Sequence, residues 1–195
     1  MSGGTFFAIF MVFVIVERIL ETRASTKAVR GKKTESWSLP VLFMLHCLIL
    51  ASVIVEFALL KERLNLWVTA LGLFLFGTAL ILRLWALRTL AEYWSLHVEI
   101  RPSQRLIKQG PYRLMRHPAY AAIILEFVAI PLVGNCYLSL GLVLALYFPV
   151  LALRIVIEEK ALIEKFGQGY EQYRKTTGAL LPFRPLAWFS SRDGR

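Results

Sequence analysis

The chain has 195 residues, 57% of them apolar and 18% charged, with a net charge of +10 and a mean hydropathy of +0.57. A soluble domain of this size needs far more polar surface, and the apolar residues come in runs too long for core strands, so an ordinary soluble fold is excluded and an all-α, multi-pass membrane bundle is predicted. The 23 Lys and Arg sit between the apolar runs and form no basic stripe interleaved with aromatics, which reads as topological charge and attraction to lipid headgroups, not as nucleic-acid binding.

Five apolar segments are predicted in chain order. The first, about Gly4–Leu20, is cut at its end by Glu17 and Arg18; no basic leader or A-x-A site precedes it, so it is expected to be a retained membrane segment. The second, about Leu39–Leu60, opens with Pro40 and carries His46 and Glu56. Such polar groups are usually satisfied at helix contacts or helix ends; otherwise they mark a transport path. The third, about Leu66–Leu87, contains Gly72 and Gly77. The fourth, about Pro118–Val133, is short against the roughly 20 residues that cross the hydrocarbon. Gly134-Asn135 then makes a tight turn into the fifth, about Leu138–Ile157, and the two form a helical hairpin. Beyond it Glu158–Phe166 keeps a helical period, Gly167 and Gly169 are expected stops, Tyr170–Lys175 forms a short turn, and the tail with Leu181, Pro182, Phe183 and Trp188 is extended and interfacial.

Charge sets the orientation. Arg18–Lys33 holds six Lys and Arg, Lys61–Arg63 two, Arg83–Arg116 seven, the Gly134–Tyr137 turn none, and the stretch from Arg154 onward eight. This alternation follows the positive-inside rule, with the N-terminus outside, the C-terminus in the cytoplasm and five crossings. One integral membrane domain, 1–195, is expected: three helices in 1–90, a cytoplasmic cofactor-binding connector 91–117, the hairpin 118–157, and a cytoplasmic amphipathic helix and tail 158–195. Cys47 and Cys136 are far apart and no Cys/His cluster exists, so no metal site is expected.

The chemistry concentrates in two places. Gly110-Pro111-Tyr112-Arg113-Leu114-Met115-Arg116-His117-Pro118-Ala119-Tyr120 is polar and aromatic where a loop enters the fourth helix. Pro118 suits the first turn, so Arg116 and His117 fall at a helix N-terminus, whose free N–H groups favour a carboxylate or phosphate. The plainer alternative makes Arg116 an interfacial anchor and His117 a cap. The second place is Arg154-Ile155-Val156-Ile157-Glu158-Glu159, where Arg154 and Glu158 share a helix face and either pair with each other or face the bundle interior. A hairpin brings both places together, so His117, Tyr120, Arg154 and Glu158 are expected to be neighbours and to suit a zwitterionic ligand with a cationic centre.

The ordered set Leu106-Ile107, Gly110-Pro111-Tyr112, Arg116-His117-Pro118, Tyr120 and Glu158-Glu159, with Phe166-Gly167, Tyr170, Tyr173 and Leu181-Pro182-Phe183, closely resembles the isoprenylcysteine carboxyl methyltransferase family over residues 75–185. The resemblance implies an S-adenosylmethionine-dependent membrane methyltransferase acting on a prenylcysteine or similar lipophilic acceptor. It implies a cofactor pocket of His97, Gln104, Arg105, Leu106, Ile107, Tyr112, Arg116, His117, Pro118, Ala119, Tyr120 and Glu158. Arg154 would face the acceptor; Glu159, with His117, is the candidate base where the acceptor needs one. The competing readings are a phospholipid, other lipid or polyketide methyltransferase, an NADPH-dependent membrane reductase, and a transporter or scaffold.

Overall fold

The computed structural model describes residues 2–25, 32–33, 37–60, 64–93, 99–100 and 105–182. Five long helices follow one another: α1 Gly3–Ser25, α2 Ser38–Leu60, α3 Leu66–Leu90, α4 Pro118–Gly134 and α5 Tyr137–Phe166, with a short α6, Gln168–Thr176, after them. Among the described residues α1, α2, α3 and α5 are long and apolar enough to cross a membrane, while α4 is a shorter apolar helix of 17 residues. The chain is an integral membrane protein with four such spans; α4 is where the expectation of five falls short on length. Large side chains such as Phe43, Phe74, Ile81 and Leu138 point outward, as lipid-facing residues do.

The helices alternate in direction. At one end Phe7 of α1 stacks on Phe57 of α2 at 3.9 Å, and the N–H of Asn65, the cap of α3, donates to Asn135 Oδ1 in the α4–α5 turn at 2.7 Å. Glu56 closes the same end by accepting the N–H groups of Leu138 at 2.9 Å and Ser139 at 2.7 Å, together with the Ser139 hydroxyl at 2.7 Å. These N–H groups belong to the first turn of α5, where a carboxylate is favoured. Glu56 is thus a satisfied end-of-helix group. The turn itself rests on Asn135, whose φ of 57° lies in the left-handed region that Asn tolerates.

Helix α4 packs along α3, and α5 along α2, whereas α4 and α5 approach closely only beside their turn and then diverge. Gly72 permits the α3–α4 contact, since a Cβ there would stand 2.7 Å from the Val133 nitrogen. The space beside the turn is filled by Phe7, Phe10, Ile49, Val53, Ile130 and Val133. Within α5, residues Val143–Tyr147 form a π turn in which the Phe148 N–H reaches Val143 O. Pro149 follows at once; it has no N–H to offer Ala145 and its ring crowds that carbonyl, so the turn before it widens.

Several expectations shift. Helix α5 does not stop at Ile157 but continues to Phe166, so Glu158 and Glu159 lie on the same helix as Arg154 and not on a separate cytoplasmic one. Gly167, with φ of 52°, does end it, but Gly169 lies inside α6, which also replaces the short turn expected at Tyr170–Lys175. The all-α description has one small departure among the described residues, a two-residue antiparallel pairing of Lys32–Lys33 with Glu99–Ile100. Phe183 and Trp188 of the expected tail lie outside the described residues.

Candidate functional site

Where α4 and α5 diverge, they leave a cavity of about 640 Å³ bounded also by α1, α2 and the connector before α4. Of the residues expected to form a site, Arg105, Leu106, Ile107, Tyr112, Arg116, His117, Ala119, Tyr120, Arg154 and Glu158 all line it. Pro118 and Glu159 do not, and His97 and Gln104 lie outside the described residues. His117 and Glu158 therefore share one crevice at the end of the bundle away from the α4–α5 turn, as the hairpin requires.

The helix N-terminus is less open than expected. The N–H groups of Arg116 and His117 donate to Gly178 O and Ala179 O, both at 2.9 Å, where the chain after α6 runs beside Met115. Pro118 has no N–H, so the first-turn donors left without a backbone acceptor among the described residues are those of Ala119 and Tyr120, two cavity residues. The His117 ring does not cap the helix either. Its Nε2 meets Glu159 Oε1 at 3.1 Å, and the same oxygen receives Arg116 Nε at 2.8 Å and Nη2 at 2.6 Å. Arg116 also donates to the carbonyls of Arg174, at 3.2 Å, and Thr177. Glu159, expected as a candidate base, ties the start of α4 to α5 and to the end of α6.

Arg154 donates from Nε to Tyr120 Oη at 3.0 Å and from Nη1 to Ser38 Oγ at 2.7 Å. It thereby bridges the polar end of the cavity and the start of α2. From Ser38 inward, Leu39, Leu42, Phe43 and Leu50 of α2 and Ile15 and Ile19 of α1 carry the wall toward the hydrocarbon. The tyrosines of the connector and α6 are held neutral: burial pushes the Tyr173 phenol up to about 12, and burial beside Glu158 and Glu159 respectively raises Tyr112 and Tyr170 as well. Each can therefore donate a hydrogen bond, as Tyr173 does to the Tyr112 carbonyl.

Sequence reasoning missed Ser38, took Tyr170 and Tyr173 only as part of the family resemblance and not as site residues, and passed over a group of charges on α1, α3 and α4, partly or wholly buried: Glu17, Arg18, Glu21, Arg83 and Glu126. A signal existed for Glu126, a lone carboxylate in the middle of an apolar run, which by itself marks a functional candidate in a membrane helix. Glu17, Arg18 and Arg83 were read only as flanking charges.

Residues 70–164 match the model of the isoprenylcysteine carboxyl methyltransferase (ICMT) family. Among similar proteins, the Uncharacterized protein YpbQ of Bacillus subtilis is 34% identical over 125 residues, covering 64% of this chain and 74% of that protein. Protein-S-isoprenylcysteine O-methyltransferase B of Arabidopsis thaliana is 29% identical over 137 residues, 67% of this chain and 66% of that one. Methanethiol S-methyltransferase 1 of Bradyrhizobium diazoefficiens is 36% identical over 73 residues, 37% of this chain and only 25% of that protein.

Proposed function

Because this chain belongs to the isoprenylcysteine carboxyl methyltransferase family, and with it to the membrane methyltransferases, we propose that it takes its methyl group from S-adenosylmethionine and delivers it to a lipophilic acceptor, first of all the carboxylate of a prenylcysteine or a similar amphiphile. The observation that carries this reading is a single cavity with an ionic, aromatic end and an apolar continuation, with Arg154 between them. Its volume of about 640 Å³ lies within the range of small-molecule sites.

The residues fit such a cofactor. The N–H groups of Ala119 and Tyr120, with the His117 ring, hold its carboxylate at the positive end of α4. Glu158 accepts from its amino group or ribose hydroxyls, Leu106 and Ile107 flank the adenine, and the Tyr112 and Tyr120 rings favour the cationic centre. The bound cofactor supplies a methyl group already activated by a sulfonium. What remains for the chain is to align the acceptor and to exclude water. The Arg154 guanidinium pairs with a carboxylate acceptor and directs one of its oxygens. A carboxylate is ionised at neutral pH and needs no base, so Glu159 serves here as a positioning group for Arg116 and His117.

In this reading α4 also crosses the membrane, giving five crossings with the N-terminus outside and the site on the cytoplasmic face, as the Lys and Arg distribution favours. Methylation of a phospholipid, another lipid or a polyketide would use the same site; the methanethiol S-methyltransferases among the relatives support keeping the acceptor class broad. The test is thermal melting of the purified protein in detergent, followed by labelled S-adenosylmethionine with a panel of prenylcysteines, lipids and polyketides. S-adenosylhomocysteine should raise the melting temperature and NADPH should not, and base-labile label in a product identifies a methyl ester. Stabilisation by NADPH alone would defeat the proposal.

A further inference from the structure

The deeper cavity wall is not uniformly apolar. Arg18 and Glu21 of α1, Arg83 of α3 and His46 of α2 line it together with Leu42 and Ile123. Arg18 pairs with Glu17 at 2.9 Å, Glu21 at 2.7 Å and the wholly buried Glu126 at 2.5 Å. Arg83 pairs with Glu17 at 2.9 Å, Glu21 at 3.4 Å and Glu126. Removing this many charges from water is costly, and apolar side chains would hold the helices together at less expense, so the cluster calls for a role beyond packing.

Two atoms indicate that role. Arg83 is 2% exposed, yet its Nε has no hydrogen-bond partner among the described residues, and neither has Nε2 of His46. Both residues line the cavity. His46 packs edge-on against Phe127, the neighbour of Glu126, at 4.6 Å, so it lies level with the charges. The network sets the carboxylates of Glu17, Glu21 and Glu126 against the guanidiniums of Arg18 and Arg83, three acids to two bases, so it offers no spare cation. An anion is disfavoured there. A neutral oxygen is favoured, because Arg83 Nε can donate to it and the imidazole can bond to it, and neither atom has a partner among the described residues.

We propose that this patch binds a neutral hydroxyl or keto oxygen within the body of the acceptor, and so selects oxygenated lipids over plain alkyl or prenyl chains. The proposal rests on the reading that the acceptor lies in this cavity. Glu126 is nine residues beyond His117 on α4, about 13 Å along the axis at the helical rise. The oxygen therefore belongs at mid-chain, well inside the methylated end.

The experiment uses the full chain in lipid nanodiscs saturated with S-adenosylhomocysteine, titrated with stearic acid and with hydroxystearic acids bearing the hydroxyl at different mid-chain carbons. At least one isomer should bind roughly tenfold more tightly than stearic acid, and His46→Phe and Arg83→Lys should each abolish that advantage. Equal binding of every isomer and stearic acid to the wild type, or an advantage that survives in either variant, overturns the proposal. Stabilisation by S-adenosylhomocysteine is read in every sample. Its presence in the variants establishes that they fold; its absence in the wild type would sink the methyl-transfer reading while leaving the hydroxyl comparison to be judged separately.

Discussion

Glu158 and Glu159 are adjacent in the chain, but they face different neighbours, and their replacements should fail differently. Glu158 lines the cavity, whereas Glu159 holds Arg116 at 2.8 and 2.6 Å and His117 at 3.1 Å. The Arg116 and Glu159 side chains are 7% and 14% exposed. Breaking the pair should therefore cost more than the ~0–1 kcal/mol of a surface bridge and less than the roughly 3–5 kcal/mol of a fully buried one. A loss of about 2–3 kcal/mol is expected for Glu159→Ala, since the Arg116 guanidinium and the His117 ring both lose their partner. At about 2–4 °C per kcal/mol for a chain of this size, the unliganded melting temperature should fall by roughly 5–10 °C. Glu158→Gln removes the charge of a cavity-lining side chain while keeping its size, and should melt like the wild type without ligand, while its affinity for S-adenosylhomocysteine falls roughly tenfold. Melting curves in detergent, with and without S-adenosylhomocysteine, separate the two effects. The reasoning is refuted if Glu159→Ala melts like the wild type, or if Glu158→Gln lowers the unliganded melting temperature as far as Glu159→Ala does.

Gly72→Val places a side chain within 2.7 Å of the Val133 backbone and should destabilise the α3–α4 contact by about 1–3 kcal/mol, read as a lower melting temperature. Glu56→Ala strips two N–H groups and a hydroxyl of their acceptor at the start of α5, so about 1–3 kcal/mol should be lost with S-adenosylhomocysteine affinity unchanged, the site being at the other end of the bundle. The Tyr173 phenol is raised from its ordinary 10 to about 12 by burial. The folded protein then holds a proton that the unfolded chain gives up, so stability is full below pH 10 and declines as pH rises toward about 12. Denaturant titrations at stepped pH should find that decline reduced in Tyr173→Phe.

Much of the scaffold was legible in the sequence. The apolar runs set the starts of the helices to within a residue, and Gly134-Asn135 marked the turn because few other pairs reverse a helix so tightly. The hairpin then dictated that His117 and Glu158 line one crevice. The reading failed where the signal was ambiguous: the run after Ile157 turns polar, which marks the helix leaving the apolar layer and not the helix ending. It also could not tell Glu158 from Glu159, because adjacent carboxylates on one helix differ by about 100° in direction, and no single-residue property says which of them faces the cavity.

Length, hydropathy and charge by themselves determined that the chain crosses a membrane and roughly where it does so, and they singled out two short polar stretches as the candidate site. Only the tertiary structure decided partners. Arg18, Arg83 and Glu126 come from three helices that are apolar nearly all round, and such helices carry no hydrophobic stripe to fix their rotation. Which face turns inward is settled by close packing, as at Gly72, and by where buried charges find one another, and both depend on all the helices at once.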